Sequence, residues 1–173
     1  MFAPNRIKKF HSWLLNWYDH KKRDMPWRKN RDPYRILVSE FMLQQTQVKT
    51  VIPYFNKWMS SFPTVKRLAT ASESNVLKHW EGLGYYSRAR NLLKSAIQIQ
   101  KNYSGKVPDS FHEIIKLPGV GRYTAGAVLS IAFDKKVPVL DGNVKRVLSR
   151  LMLLNENGSN KNSETRLWKT MEG

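Results

Sequence analysis

"LPGVGRYTAGAVLS" occupies residues 117–130 and places two glycines two positions apart, directly before a run of small and apolar residues. Because proline disfavours helical backbone in the residue before it, Pro118 predicts the end of one helix. Gly119 and Gly121 permit the positive φ angles of a tight turn. Upstream, a serine followed three residues later by a glutamate has the spacing of a capping box, which indicates a short preceding helix. The segment from about 111 to 133 is therefore predicted to form a helix, a hairpin and a second helix.

The predicted hairpin has the features of an anion-binding turn. Backbone N–H groups at the start of a helix lack partners within the helix, and the helix dipole favours negative charge beside them. Phosphate contacts of this kind hold DNA in register without reading its sequence. The alternative is a helix-breaking turn that binds nothing. We favour phosphate contacts from the hairpin residues Leu117, Gly119, Val120, Gly121 and Arg122.

The charge of the chain supports a polyanionic partner. Its 30 Lys and Arg residues exceed its 13 Asp and Glu residues, for a formal net charge of +17. These positive charges repel one another unless an anion lies on the surface, so nucleic acid is the expected partner. The alternative is a basic surface like that of a ribosomal protein. No apolar run approaches the roughly 18 residues of a membrane span, and the N-terminus lacks the apolar core of a signal peptide. We therefore expect a cytoplasmic protein without a membrane partner.

The residue inventory excludes several chemistries. The chain has no cysteine, which excludes a disulfide, a thiol nucleophile and a metal site with cysteine ligands. Its four histidines have no metal-ligand spacing, so no metal site is predicted. Apolar residues recur with helical spacing almost throughout, and no segment has a convincing strand pattern. The predicted fold class is all-α.

Three further motifs stand beside the hairpin in the same chain. They are "SEFMLQQTQVKTVIPYF" at 39–55, "GLGYYSRARNL" at 82–92 and "LDGNVKR" at 140–146. With these four motifs in this order, the chain resembles the helix-hairpin-helix DNA glycosylases over nearly its whole length, from about 5 to 172. Within them it is most similar to the adenine DNA glycosylases, which remove adenine mispaired with 8-oxoguanine.

The resemblance implies a two-lobed helical fold and a partner. One lobe would comprise residues 28–137 and contain the helix-hairpin-helix. The N-terminal helix, within 1–27, would belong to the second lobe, which would begin again at 138–173. The partner would be double-stranded DNA containing an adenine mispair, bound by a monomer. The reaction would be hydrolysis of the N-glycosidic bond of adenine opposite 8-oxoguanine or guanine.

Such a reaction needs an acid to protonate the departing base and a carboxylate to face the cationic sugar carbon C1′. Glu40 lies in the apolar run "ILVSEFML", where burial would raise the pKa of a carboxyl group and keep it protonated. The alternative is a glutamate on the solvent-exposed face of a helix. The resemblance places the catalytic acid at Glu40.

Asp141 precedes glycine and Asn143 at a predicted helix start, where the commonest role of an aspartate is to cap the helix. That role is compatible with catalysis, because a capping carboxylate stays ionised, as stabilisation of a cation requires. The resemblance implies that Asp141 faces C1′ and can form a transient covalent link to it. It also implies that Asn143 orients Asp141.

Tyr123, in the opening stretch, stands where bifunctional relatives carry a lysine. A lysine amine can attack C1′, form a Schiff base and cut the strand by elimination, whereas a phenol cannot form that imine. The sequence thus predicts a monofunctional enzyme, with Tyr123 hydrogen-bonded to Asp141 or to the sugar. The alternative is a packed aromatic residue without a chemical role.

The remaining candidate residues would contact DNA or the adenine. Gln44, Gln45 and Thr46 end the Glu40 helix, and the resemblance implies that they enter the duplex, with Gln45 filling the space left by the extruded base. Tyr85 would wedge against the opposite base. Two residues match the rim of the adenine pocket, and four basic residues are candidate phosphate contacts, with solvated charge as the alternative: Trp27 and Arg28; Arg88, Arg90, Lys145 and Arg146.

The chain also departs from the family pattern. The complete family protein has four cysteines that hold a 4Fe–4S cluster and a further domain that recognises 8-oxoguanine, and the cluster ligands are absent from this chain. We therefore expect a fragment with an incomplete second lobe, a natural cluster-free form being the alternative. Two other functions compete: an oxidised-pyrimidine DNA glycosylase with lyase activity, and a non-catalytic DNA-binding module.

Overall fold

The computed structural model describes residues 4–152 and 161–172, and all regular structure in these two ranges is helical. The all-α prediction is confirmed. A short 3₁₀ turn, Pro26–Arg28, lies between the first two helices. The helices are α1 (Pro4–Lys21), α2 (Pro33–Leu43), α3 (Val48–Ser61), α4 (Val65–Ala69), α5 (Glu73–Trp80), α6 (Ser87–Asn102), α7 (Phe111–Ile114), α8 (Arg122–Phe133), α9 (Gly142–Leu151) and α10 (Lys161–Glu172).

Helix starts follow local sequence signals. The Asp32 carboxylate accepts hydrogen bonds from the backbone of Tyr34 at 2.9 Å and of Arg35 at 3.4 Å, and the proline at the first position of α2 has no N–H group that would need an acceptor. The Ser110 hydroxyl caps α7 in the same way, by accepting from the Glu113 backbone at 3.3 Å. Side-chain oxygens that satisfy the first free N–H groups thus set the boundaries that the sequence predicts.

Helix α2 forms the centre of the main core. Every residue from 36 to 42 is buried, and the surrounding apolar residues come from α3, α6 and α8. A helix that is apolar on all sides is stable only when other helices enclose it. Within this run, Glu40 is the one ionisable residue, and only 3% of it is exposed.

A second, smaller group of buried residues joins α9 and α10. Leu140, Leu167 and Trp168 form its centre. Helix α1 keeps much of its apolar face exposed, including three-quarters of Trp13. The division of the chain into 1–27, 28–137 and 138–173 remains a prediction. Within the described residues, no helix is both long and apolar enough to cross a membrane.

The hairpin between α7 and α8 uses its two glycines differently. Gly119 has φ of +76°, and a Cβ atom there would lie 2.8 Å from Asn91 Cβ and 2.9 Å from Phe41 Cε1. Gly121 does not use the positive φ that glycine permits, since it caps α8 in extended backbone with φ of −92°. A Cβ atom on Gly121 would meet nothing within 4 Å.

A third glycine brings the two cores together. A Cβ atom on Gly126 in α8 would lie 2.5 Å from the carbonyl oxygen of Pro138. The absence of a side chain at Gly126 therefore lets the segment before Asp141 cross directly over α8. This close crossing places the start of α9 beside the start of α8, where the candidate site lies.

Candidate active site

An open cleft of about 630 Å³ lies between the end of α2, the start of α6 and the starts of α8 and α9. Residues predicted from all four sequence motifs line it together. Its lining comprises Leu43, Gln44, Gln45, Tyr85, Ser87, Arg88, Tyr123, Asp141 and Gly142.

Glu40 lies behind this cleft and is joined to it through Tyr123. Its carboxyl group is hydrogen-bonded to the Tyr123 hydroxyl, and its Oε2 atom has no hydrogen-bond partner among the described residues. Burial raises the pKa of Glu40, with a smaller contribution from the charge of Asp141, while the Tyr123 hydrogen bond and the charge of Arg28 oppose the shift. A carboxyl group with a raised pKa retains its proton to higher pH than an exposed one, which suits it to act as a general acid.

Asp141 caps α9 and lines the cleft at the same time. Its Oδ1 atom accepts a hydrogen bond from the Val144 backbone at 2.7 Å, and its Oδ2 atom accepts one from Asn143 Nδ2 at 3.1 Å. The capping role expected from the sequence is confirmed. The contact predicted between Asn143 and Asp141 is also present, and it fixes the direction of the carboxylate.

Tyr123 lies in the first turn of α8, immediately after the hairpin. Its hydroxyl group bonds Glu40, whereas Asp141 acts on it through charge, so the hydrogen bond expected with Asp141 goes to the other carboxyl group. Burial and the two nearby carboxyl groups raise the pKa of Tyr123. The phenol therefore stays protonated and connects the buried acid to the cleft.

The two residues predicted at the rim of an adenine pocket differ in exposure. The rim position predicted for Trp27 is wrong: the side chain is 1% exposed and its ring packs edge-on against Phe55 at 5.3 Å. Arg28 is exposed, and its charge lowers the pKa of Glu40 and of Tyr123. Arg28 thus belongs to the electrostatic surroundings of the site.

The phosphate contact predicted for Arg88 is also wrong. Only 6% of the residue is exposed, and its guanidinium group points into the protein. It donates to backbone oxygens at the end of α2 and to the Thr46 hydroxyl at 3.1 Å. Thr46 is accordingly part of this network.

The two glutamines at the end of α2 differ in orientation. Gln44 is partly buried and donates to the Thr124 hydroxyl at 3.5 Å, which ties it to α8. Gln45 is exposed and has φ of +57°, an uncommon conformation for a residue other than glycine. Tyr85, across the cleft, is 63% exposed with φ of +48°. Exposure on the cleft leaves Gln45 and Tyr85 as the candidates for insertion into DNA.

The other predicted DNA contacts are divided between surface and interior. The side chains of Leu117 and Val120 are buried, so only their backbone could reach a phosphate. Each of the basic residues has a contact within the chain: Arg90 with Glu73 at 2.8 Å, Lys145 with Glu164 at 2.9 Å, Arg146 with Asn143 at 3.0 Å and Arg122 over the Trp168 ring at 4.0 Å. The contacts of Arg90 and Lys145 are surface ion pairs, which are weak, so a phosphate could replace the partner.

Sequence reasoning missed three residues that line the cleft. Leu43, Ser87 and Gly142 do so through their positions at the ends of α2, α6 and α9. The one indication in the sequence was their position, because each is the direct neighbour of a predicted site residue. Their side chains are small or apolar, and residue type gave no sign of a site.

The described residues contain no cluster of three or more His, Cys, Asp or Glu able to hold a metal ion. The whole chain has no cysteine. A 4Fe–4S cluster of the kind implied by the family resemblance therefore does not fit the residues present.

Helical architecture, a hairpin at a helix start and two carboxyl groups beside one cleft define the class of helix-hairpin-helix DNA glycosylases. The family model of the HhH-GPD superfamily base excision DNA repair proteins matches residues 38–172, and the chain belongs to that family. The chain is 48% identical over 164 residues to the adenine DNA glycosylase of Buchnera aphidicola subsp. Baizongia pistaciae, covering 94% of this chain and 46% of the relative. It spans about half the length of the curated bacterial relatives it matches first.

Solved structures agree with this assignment. A thermostable thymine-DNA glycosylase matches with a TM-score of 0.84 and 32% identity, over 95% of this chain and 76% of the other. A trapped covalent intermediate of endonuclease III with DNA matches with a TM-score of 0.79 and 25% identity, over 98% and 78%.

The two hairpin glycines make separable predictions. Gly119→Ala should destabilise the fold by about 1 kcal/mol or more, because it forces an L-residue into positive φ and against Phe41. Gly121→Val should lower the thermal unfolding midpoint less than Gly119→Ala does, because its Cβ atom has open space and only the weaker capping by valine is lost. It should weaken duplex binding by blocking the approach of a phosphate. Thermal unfolding and fluorescence-anisotropy titrations with several duplex sequences measure the two effects.

The loss for Gly121→Val should be similar for all duplexes, since phosphate contacts carry no sequence information. Binding by the parent should also weaken steeply as salt rises, as counterion release requires. A loss confined to one base context would instead identify the hairpin as a base-reading element.

Proposed function

We propose that this chain carries the catalytic site of an adenine DNA glycosylase that hydrolyses the N-glycosidic bond of adenine mispaired with 8-oxoguanine or guanine. The observation that carries the proposal is the buried Glu40 carboxyl group, whose pKa is raised by burial and which is linked through Tyr123 to a cleft on which Asp141 lies. Identity to adenine DNA glycosylases supports the choice of base. The monomeric state remains a prediction.

The two carboxyl groups divide the chemistry. Glu40 donates its proton to the adenine ring as the bond from C1′ to the base nitrogen breaks and the bonding electrons leave with the base. The cation that develops at C1′ is stabilised by the negative charge of Asp141. Water then adds its oxygen to C1′ and returns a proton to Glu40, leaving free adenine and an abasic site.

The base must first leave the duplex, because the stacked helix hides the glycosidic bond from buried groups. Gln45 and Tyr85 are exposed on opposite sides of the cleft, where they could fill the vacated space and press on the opposite base. The start of α8 would bind a phosphate and so hold the strand while the nucleotide turns outward. The positive charge of the chain supports this partner.

A panel of duplexes tests the proposed function directly. Duplexes with adenine opposite 8-oxoguanine, adenine opposite guanine, or thymine glycol are incubated with the chain and assayed for abasic sites with and without alkali. Release of adenine that yields alkali-sensitive sites is the expected result. Cleavage of the thymine glycol duplex without alkali would favour the oxidised-pyrimidine glycosylase and lyase, and binding without base release would favour a non-catalytic module.

Tyr123 makes a prediction about covalent trapping. Borohydride should trap no lysine-linked adduct comparable to that of a bifunctional relative, because the residue that bonds Glu40 is a phenol and cannot form an imine. Tyr123→Lys should gain some trapping if the amine loses its proton in this partly buried position. Denaturing gels of borohydride-treated reactions measure the adduct. Efficient trapping by the parent, abolished by changing one lysine, would contradict a monofunctional enzyme.

A further inference from the structure

Arg88 holds two turns together from inside the protein. One terminal nitrogen, Nη1, donates to the carbonyl oxygens of Phe41 at 3.2 Å and Met42 at 2.8 Å, and also to that of Gln44. The other, Nη2, donates to the carbonyl oxygens of Leu83 at 3.0 Å and Gly84 at 3.1 Å. The two ends of one guanidinium group therefore bind two segments about 40 residues apart in the chain.

The first of these segments is the end of α2. Carbonyl oxygens in the last turn of a helix have no partners within the helix, and the helix dipole gives this end negative character. No basic residue lies in the last turn of α2 to satisfy them. Arg88, in the first turn of α6, supplies the missing donors and so fixes the point at which α2 ends.

In both segments, the residue that follows the carbonyl groups bound by Arg88 has a strained backbone conformation. Gln45 follows the first set of acceptors with φ of +57°, and Tyr85 follows the second with φ of +48°. Residues other than glycine occupy this region only where the surrounding structure imposes it, often at functional sites. Both residues are exposed and line the cleft.

The guanidinium group is itself enclosed. Its central carbon lies 5.4 Å from the Trp80 ring centroid and 5.5 Å from that of Tyr85. The Trp80 indole also donates to the Gly84 carbonyl at 3.1 Å, beside the Arg88 donor. A planar fork with several fixed donors can bridge both turns at once, whereas a lysine ammonium offers a single point charge.

We propose that Arg88 is a positioning residue that sets the spacing between Gln45 and Tyr85, so that both side chains enter DNA together when the adenine is extruded. The consequence for DNA rests on the proposed function. The contacts of Arg88 with the two turns, which we call the clamp, concern the protein alone. Arg88 touches neither the base nor the sugar in this scheme. It acts through the two turns that it holds.

Because the chain has no cysteine, one introduced thiol gives a site-specific probe. A nitroxide attached through Gln45→Cys reports the mobility of that turn by electron paramagnetic resonance, without DNA. The spectrum should be that of an ordered label in the Arg88 parent, and a mobile component should appear with Arg88→Lys and with Arg88→Met. Arg35→Lys is the matched control. The guanidinium group of Arg35, like that of Arg88, lies over an aromatic ring, that of Phe55 at 5.2 Å. Arg35 is partly buried and lies at the start of α2, the opposite end from the Arg88 contacts.

A second readout uses the chain without the label. Single-turnover adenine release should fall by about 10- to 100-fold in Arg88→Lys, as expected from a displacement of about 1 Å in positioning groups. Duplex affinity should change by much less. A 2-aminopurine at the target position reports extrusion of the base, and its fluorescence should rise less with Arg88→Lys than with the parent. Thermal unfolding shows whether each variant is folded, and Arg88→Lys keeps the test valid if Arg88→Met is not.

The outcomes separate the two claims. An unchanged label spectrum in a folded Arg88→Lys variant would overturn the clamp, and so would unchanged adenine release from an active parent despite a mobile label. A mobile label together with a parent that releases no adenine would support the clamp and reject the proposed function. Loss of release in Arg35→Lys equal to that in Arg88→Lys would reduce Arg88 to a general core residue.

Discussion

Glu40→Gln is expected to slow adenine release by about 10²- to 10⁴-fold, the usual cost of removing a general acid. The amide keeps the shape of the side chain and can still accept from Tyr123, but it has no acidic proton to give to the base. Duplex affinity should stay within a few-fold, because Glu40 is buried and makes no surface contact. Single-turnover assays and anisotropy titrations measure the two quantities.

Glu81→Gln is the matched control for this change. Glu81 is an exposed carboxylate at the end of α5, outside the cleft lining, and its substitution should leave the rate unchanged. Equal rates for Glu40→Gln and an active parent would remove Glu40 from the mechanism.

The raised pKa of Glu40 also predicts how stability depends on pH. An unfolded glutamate loses its proton near pH 4.3, whereas the folded protein retains it to higher pH. Between the pKa of Glu40 in the unfolded chain and its higher pKa in the folded protein, the folded state binds more protons. The free energy of unfolding therefore falls as pH rises through this window. Glu40→Gln removes this contribution, and the stability of the variant relative to the parent should increase with pH across that window. Urea unfolding at a series of pH values measures it, and a constant difference would show that Glu40 is not held protonated.

Asp141→Asn is expected to lower the rate of adenine release by about 10²- to 10³-fold, as for the loss of one preorganised group that stabilises transition-state charge. Asparagine is as good an N-cap as aspartate, so α9 should keep its start and the unfolding midpoint should change little. The loss should appear in the rate of the chemical step and not in duplex affinity. Single-turnover rates with excess chain and thermal unfolding provide the measurements.

Asp32→Asn is the corresponding control, because the Asp32 carboxylate also caps a helix, α2, but lies outside the cleft. It should retain the parental rate. A similar loss in both variants would attribute the effect at Asp141 to helix capping and leave its charge without a catalytic role.

The sequence by itself determined the local features of this protein. Caps at Asp32, Ser110 and Asp141 depend on a side-chain oxygen and the backbone a few residues on, and such contacts are readable from spacing. The apolar run around Glu40 likewise predicts burial, because no face of that helix is suited to water. The motifs also identified the family, which the match to residues 38–172 confirms.

Tertiary structure alone decided where buried polar groups point. Arg88 looks like a phosphate ligand in a basic motif, yet its guanidinium group turns inward to acceptors that a helix end leaves unsatisfied about 45 residues earlier. Trp27 looks like a pocket residue, yet it fills the space beside Phe55. The hydroxyl of Tyr123 bonds Glu40 and not Asp141, because the packing of α8 against α2 sets which carboxyl group lies within reach. Each of these outcomes depends on contacts between residues far apart in the chain, and no local spacing encodes them.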